Sequence, residues 1–229
     1  MPKRLKAADR RQQILRAAAQ CFAKYGYSRT TTVQLARAAR VSEPILYRHF
    51  DTKRKLFVAL IDQAGRQAMM TFASVIGPIT SPIEQLRALL RLNPATTDPR
   101  LAELYRVIFH AQSEQTDPQI QAALRRHYRG YADFLSGIIT RAQQLGEVRQ
   151  DVSAIGLAWQ LIHLAVGFAM VKPLDIPGHA TRTAVEQAMA LLMEQLSGGR
   201  NLAREPAAAR AHANRSSDGS EATPGVRGY

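Results

Sequence analysis

The stretch from Thr31 to Lys53, TTVQLARAARVSEPILYRHFDTK, constrains the fold of this chain more than any other. Thr31 precedes an apolar series at helical spacing, Val33, Leu35, Ala36 and Ala39, with Gln34 three residues on. This is the pattern of a capping box, in which the threonine hydroxyl takes a free amide of the first turn and the glutamine side chain takes the amide of the cap. Eleven residues later Ser42, a good cap, stands before Glu43, favoured at the positive helix end, and Pro44, tolerated where an amide has no partner. The spacing predicts two short helices joined by a tight turn.

The second of these, Glu43 to Phe50, spans about 12 Å, close to the width of the DNA major groove. At helical spacing Leu46 and Phe50 share one side and can pack on Leu35, Ala39 and Val41. Pro44 and Arg48 point the opposite way, with Ile45 and Tyr47 on the flanks. One side locks the helix down, and the other is free for base edges and phosphates.

Gly26, Thr31-Thr32, Leu35-Ala36, Val41-Ser42, Leu46-Tyr47-Arg48-His49-Phe50, Lys53 and Leu56 together resemble the amino-terminal signature of tetracycline-repressor (TetR) type transcriptional regulators. The resemblance is confined to the first 60 residues. It departs from the pattern twice: Arg40 stands where the family commonly has glycine, and Arg54 where it commonly has glutamate. Arg40 is expected to take a left-handed backbone at a cost of about 1 kcal/mol. Arg54 reads as added surface charge.

By position, the resemblance implies that Thr31, Thr32, Tyr47, His49 and Lys53 contact phosphates or sugar edges. Ser42, Glu43, Pro44, Ile45 and Arg48 occupy the front of the recognition helix. Arg48 suits a bidentate grip on guanine, and Ile45 or Pro44 a thymine methyl. Glu43 either accepts from cytosine or serves the helix end. His49 either meets DNA or bonds within the head.

The net charge of +13 is unevenly placed. Residues 1–60 hold 14 Lys/Arg against 3 Asp/Glu, residues 61–199 hold 12 against 12, and residues 200–229 hold 5 against 3. Positive charge concentrated on the helix-turn-helix suits a DNA-binding head on a neutral body. The single cysteine, Cys21, excludes an internal disulfide and a multi-cysteine zinc site, in keeping with a cytoplasmic protein. Lys3, Arg4 and Lys6 are followed by further charge where a secretory leader needs an apolar run.

Residues 1–8 read as a basic arm, either a disordered leader or a reach toward phosphates or the minor groove. Asp9 with Gln12 predicts a second capping box, and Ile14, Ala18, Cys21, Phe22 and Tyr25 a helix that Gly26 ends. A fourth helix, from Asp51 or Thr52 toward Ala73, is expected to link head and body. Ser81-Pro82, Asp98-Pro99 and Asp117-Pro118 each open a further helix, and Asn93-Pro94 closes one. No segment alternates like a strand.

Residues 152–171 are the most apolar. This run falls slightly short of a membrane span and stands alone, so a helix buried on all sides is expected. Gly156, Gln160, His163 and Gly167 share one of its faces. The resemblance implies that this helix and Arg182 to Leu196 form a four-helix dimer interface. After Ser197-Gly198-Gly199 the composition turns to Ala, Arg, Ser, Gly and Pro, as in a disordered tail.

The expected organisation is all-α: arm 1–8, helix-turn-helix domain 9–60, helical effector-binding and dimerisation domain 61–197, tail 198–229. No catalytic constellation, phosphate loop or metal-spaced cluster stands out, so neither enzyme activity nor a cofactor is expected, and His110 with Glu114 is too little for a metal site. Phe109, His110, Tyr131, Phe134, Trp159 and His163 are candidates to line a small-molecule cavity, although aromatics at this spacing also serve as plain core. The expected partners are operator DNA, a second copy of the chain and a small-molecule effector, with no membrane. The expected activity is that of a homodimeric repressor released from a palindrome by its ligand. Activation in place of repression stands open, and the alternative is an effector-independent basic architectural DNA-binding protein.

Overall fold

The computed structural model describes residues 6–92 and 99–198, and every regular element among them is helical. In chain order these are α1 (Ala7–Arg29), α2 (Thr32–Ala38), α3 (Glu43–His49), α4 (Lys53–Ile76), α5 (Pro82–Arg91), α6 (Pro99–Gln112), α7 (Pro118–Gln144), α8 (Ala154–Val171) and α9 (Arg182–Ser197). Asn93, Pro94, Asp98, the first five residues and the tail from 199 onward lie outside the described residues.

Most of these helices start where side chains supply caps. Thr31 and Gln34 form the full capping box, and the hydroxyls of Thr52, Ser81, Ser153 and Thr181 each accept an amide of the first turn. Asp117 accepts from both Gln119 and Ile120 to start α7. The box expected at Asp9 and Gln12 does not form: α1 starts earlier, with Lys6 as its uncapped first boundary, and takes in part of the expected arm. Ser42 holds the cap position of α3, but its hydroxyl accepts no amide. Pro44 has no amide to give, and the Ile45 amide bonds the Ser42 carbonyl at 3.0 Å.

The head forms α1 to α3 and the start of α4 around Ile14, Phe22, Leu35, Leu46, Phe50 and Phe57, all 5% exposed or less. This core continues without a break into the body through Leu60, Ile61, Ile108, Ala111 and Ile120. A second cluster gathers Leu86, Ile138, Ile139, Leu157, Leu161, Leu192 and Leu196 at the far end. The boundary expected at residue 60 falls inside α4, which runs unbroken to Ile76.

α8 is not buried on all sides. Leu157, Ala158, Leu161 and Ile162 are its buried residues, on the side that packs against α7, whereas Ile155, Leu164 and Met170 are 41%, 52% and 61% exposed. Together with its closing turn it forms a segment, Ala154–Leu174, with a mean hydropathy of 1.8, long and apolar enough to cross a membrane. α9 buries only Leu192 and Leu196 and leaves Leu191 62% exposed.

Candidate nucleic-acid interface and body groove

The turn between α2 and α3 is set by backbone bonds. The Arg40 amide donates to Arg37 O at 3.1 Å and the Val41 amide to Ala36 O at 3.0 Å. This pair defines a Schellman motif with Arg40 in the left-handed position, φ 51°. Gln13 on α1 donates from Nε2 to Ala39 O at 2.9 Å, so the first helix holds the end of the second. Sequence reading missed Gln13, because its partner lies 26 residues away.

With Leu46 buried and Phe50 beneath the Arg11 guanidinium at 4.7 Å, α3 presents Pro44, Tyr47 and Arg48 to solvent. Ile45, Glu43 and His49 are half-buried at its edges, and Ser42 and Thr31 are exposed at the two helix starts. Thr32 is half-buried beside Thr31. The ten residues expected at DNA therefore lie along the two helices of the motif and the start of α4.

Lys53 has a more constrained place than its charge alone suggests. Its ammonium donates to Tyr27 O at 3.1 Å and Thr30 O at 3.0 Å, and it sits 4.4 Å from the Tyr27 ring centre. It thus closes the corner after Gly26, whose φ of 77° and ψ of 173° suit glycine alone. Arg54 is more than surface charge: its Nη1 lies 3.2 Å from Asp117 Oδ2, joining α4 to the start of α7.

The candidate cavity residues do not converge. His110 leaves the body to meet the head, its Nε2 3.3 Å from Ala23 O and its ring against Gly26. Nearby, Ser28 Oγ donates to Glu114 at 2.6 Å. Tyr131 and Phe134 flank Phe72 with ring centres at 5.9 and 6.0 Å. Trp159 stacks on the exposed His163 at 6.0 Å, and Phe109 is half-buried on α6.

The polar core of the body is built instead around a residue that sequence reading passed over. His127 is 5% exposed, its ring 4.6 Å from that of Tyr131, and neither ring nitrogen has a hydrogen-bond partner. Burial pushes its imidazole down to about 4, with Asp62 pulling the other way. Gly65 on α4 faces Nδ1, where a side-chain carbon would come within 3.2 Å. Burial raises the Tyr131 hydroxyl well above the usual phenol range and raises that of Tyr105 as well, and the two oxygens lie 3.4 Å apart. Among the described residues no group of three His, Cys, Asp or Glu side chains could hold a metal ion.

A basic helix-turn-helix head with an exposed recognition helix, fused through its core to a helical body, defines a DNA-binding regulator. The family profile "Bacterial regulatory proteins, tetR family" matches residues 14–60. The nucleoid occlusion factor SlmA of Vibrio atlanticus is 31% identical over 165 residues, covering 64% of this chain and 83% of that protein. The HTH-type transcriptional activator FasR of Mycolicibacterium smegmatis is 29% identical over 156 residues, covering 67% and 69%. Among solved structures, the transcriptional regulator FadR of Bacillus subtilis in complex with stearoyl-CoA superposes with a TM-score of 0.69 at 18% identity, covering 81% of this chain and 98% of that one. The chain belongs to the TetR family of bacterial regulatory proteins and is a transcriptional regulator, not an enzyme.

Proposed function

We propose that the protein is a homodimeric repressor, acting in the cytoplasm, that a small molecule releases from a palindromic operator. One observation carries the dimer: α8 and α9 leave Leu164, Met170, Val185 and Leu191 exposed, the face a second copy would cover. Exposed small residues, Gly156 and Gly167, lie on the same helix and permit close approach of another helix. A dimer places two α3 helices in successive major grooves, about 34 Å apart.

In this reading residues 9–60 form the DNA-binding part and residues 61–197 the effector and dimer part. Thr31, Thr32, Tyr47, His49 and Lys53 hold the backbone, and Ser42, Glu43, Pro44, Ile45 and Arg48 face the bases. That the B. subtilis FadR structure holds stearoyl-CoA supports a ligand for a body of this kind. The effector favours a head spacing that misfits the operator, to the extent of its differential affinity for the two states.

The test is selection from random duplex DNA with the full-length protein at near-physiological salt, paired with sedimentation of the free protein. A palindrome of fixed half-site spacing and a dimeric mass are expected. In vitro transcription from a promoter overlapping that palindrome is then expected to fall when the protein is added. Binding without a motif, vanishing as salt rises, would establish the architectural alternative instead.

A further inference from the structure

The α6–α7 turn, the first half of α7 and α8 enclose a groove of about 610 Å³ walled by Arg125, Arg126, Arg129, Gln112, Tyr128 and Trp159. Charge in the body is balanced overall, yet three arginines line this one groove. Arg125 makes no ion pair among the described residues, Arg126 donates to both oxygens of Asp62 at 3.0 and 3.3 Å, and Arg129 reaches Asp133 at 3.5 Å. Leu124, Tyr128 and Trp159 supply an apolar floor, and Gln112 donates to the Tyr128 hydroxyl at 2.6 Å.

We propose that this groove is the effector site and that it takes a small organic anion, its acidic group among the three arginines and its apolar body on Trp159, Tyr128 and Leu124. The proposal rests on the ligand-released reading above. Occupancy would be felt along two routes. An anion at Arg126 competes with Asp62, which ties α7 to α4. Gln112 and Gln115 line the groove from the same turn whose Glu114 and Asp117 hold Ser28 and Arg54 of the head. A bound anion therefore acts on α4 and on the grip of the head at once.

Trp159 is the sole tryptophan of the chain, so its emission reports the groove directly. The full-length protein is titrated with octanoate, with octanamide as the uncharged control. Octanoate is expected to shift Trp159 emission saturably, and octanamide to bind about tenfold more weakly or worse. Arg126→Gln is expected to weaken octanoate about tenfold, and Asp62→Asn, which removes the competing carboxylate, to tighten it. A gain of affinity cannot come from misfolding.

Equal binding of acid and amide, no emission change with octanoate, or weakening by Asp62→Asn would each overturn the site. The same titrations are read on the complex with selected operator. Octanoate binding with the expected variant pattern but unchanged operator affinity would support the anion site and sink the ligand-released reading. Operator release by octanamide, undiminished by Arg126→Gln, would keep that reading and overturn the anion site.

Discussion

Arg54 Nη1 lies 3.2 Å from Asp117 Oδ2, across 63 residues of sequence, and joins the helix that enters the head to the helix that forms the body. The two partners differ in what else they do. Asp117 also caps α7 by accepting from Gln119 at 2.9 Å and Ile120 at 3.3 Å. Arg54→Ala is therefore expected to cost less than about 1 kcal/mol, since both side chains reach solvent. Asp117→Ala is expected to cost about 1 to 2 kcal/mol more through the lost cap. Urea unfolding of the two variants measures the difference, and equal losses would refute the assignment.

Arg40 sits left-handed at the point where the Schellman motif accommodates glycine without strain. Arg40→Gly is expected to stabilise the protein by up to about 1 kcal/mol, and Arg40→Val to destabilise it by at least as much. Thermal melts of the three proteins decide this. The glycine variant also loses a charge beside the recognition helix, so its DNA affinity is expected to fall while its melting temperature rises.

His127 gives the protein a defined acid sensitivity. In the unfolded chain its imidazole titrates near 6.5, in the folded protein near 4. Between these values the unfolded state binds more protons, so stability is fully present above about pH 6.5 and declines as pH falls toward 4. The loss is on the order of 3 kcal/mol. In His127→Phe this part of the decline is expected to vanish, with stability at pH 7 unchanged or raised because two unpartnered buried nitrogens are removed. Denaturant titrations at pH 7, 5.5 and 4.5 provide the check, and parallel declines in both proteins would contradict it.

Arg48 and Lys53 are expected to fail in different ways. Arg48→Ala removes an exposed side chain of α3, proposed above to face the bases, and should relax preference at one position of each half-site, with stability unchanged. Lys53→Met removes two charge-assisted bonds within the head and should cost about 2 kcal/mol of stability. It should also weaken all sequences alike and lower the salt slope by about one. Two variants with the same selected motif and the same melting temperature would refute the division.

Leu164 and Leu191 test the dimer. Leu164→Asp with Leu191→Asp is expected to yield a folded monomer, because neither side chain belongs to the buried core of the chain. Its operator affinity should drop by at least about a hundredfold, since the two half-sites are no longer held by one linked particle. Sedimentation equilibrium and operator titration read both effects.

The local features of the head were legible because their causes are local. Thr31 and Gln34 answer each other across one turn, and the spacing of Leu46 and Phe50 declares which side of α3 faces inward. The left-handed Arg40 followed from the resemblance, since the family commonly has glycine at that position. The local box at Asp9 and Gln12 failed because α1 starts a turn earlier, at Ala7; the residues that were missed are matters of range. Gln13 bonds a carbonyl 26 residues away and His110 one 87 residues away, and no periodicity encodes either partner. His127 lies at one turn's distance from Tyr131, but only the packing of α4 at Gly65 makes it buried and unpartnered. The apolarity of α8 was correctly seen, but complete burial did not follow from it, because an exposed apolar face has the same composition as a face in a core.

The unbroken core beneath α4 makes head and body one mechanical piece. The helix is 24 residues long, about 36 Å, so a tilt of only about 5° at one end carries the other through about 3 Å. That displacement is on the scale of one base-pair step, and in the proposed dimer it would act on both heads. Such a protein needs no hinge: a small strain at the body end of a stiff lever becomes a register error against DNA. The same stiffness makes the head dependent on its support, because a fragment ending at residue 60 would bare the side chains that Ile108 and Ala111 cover.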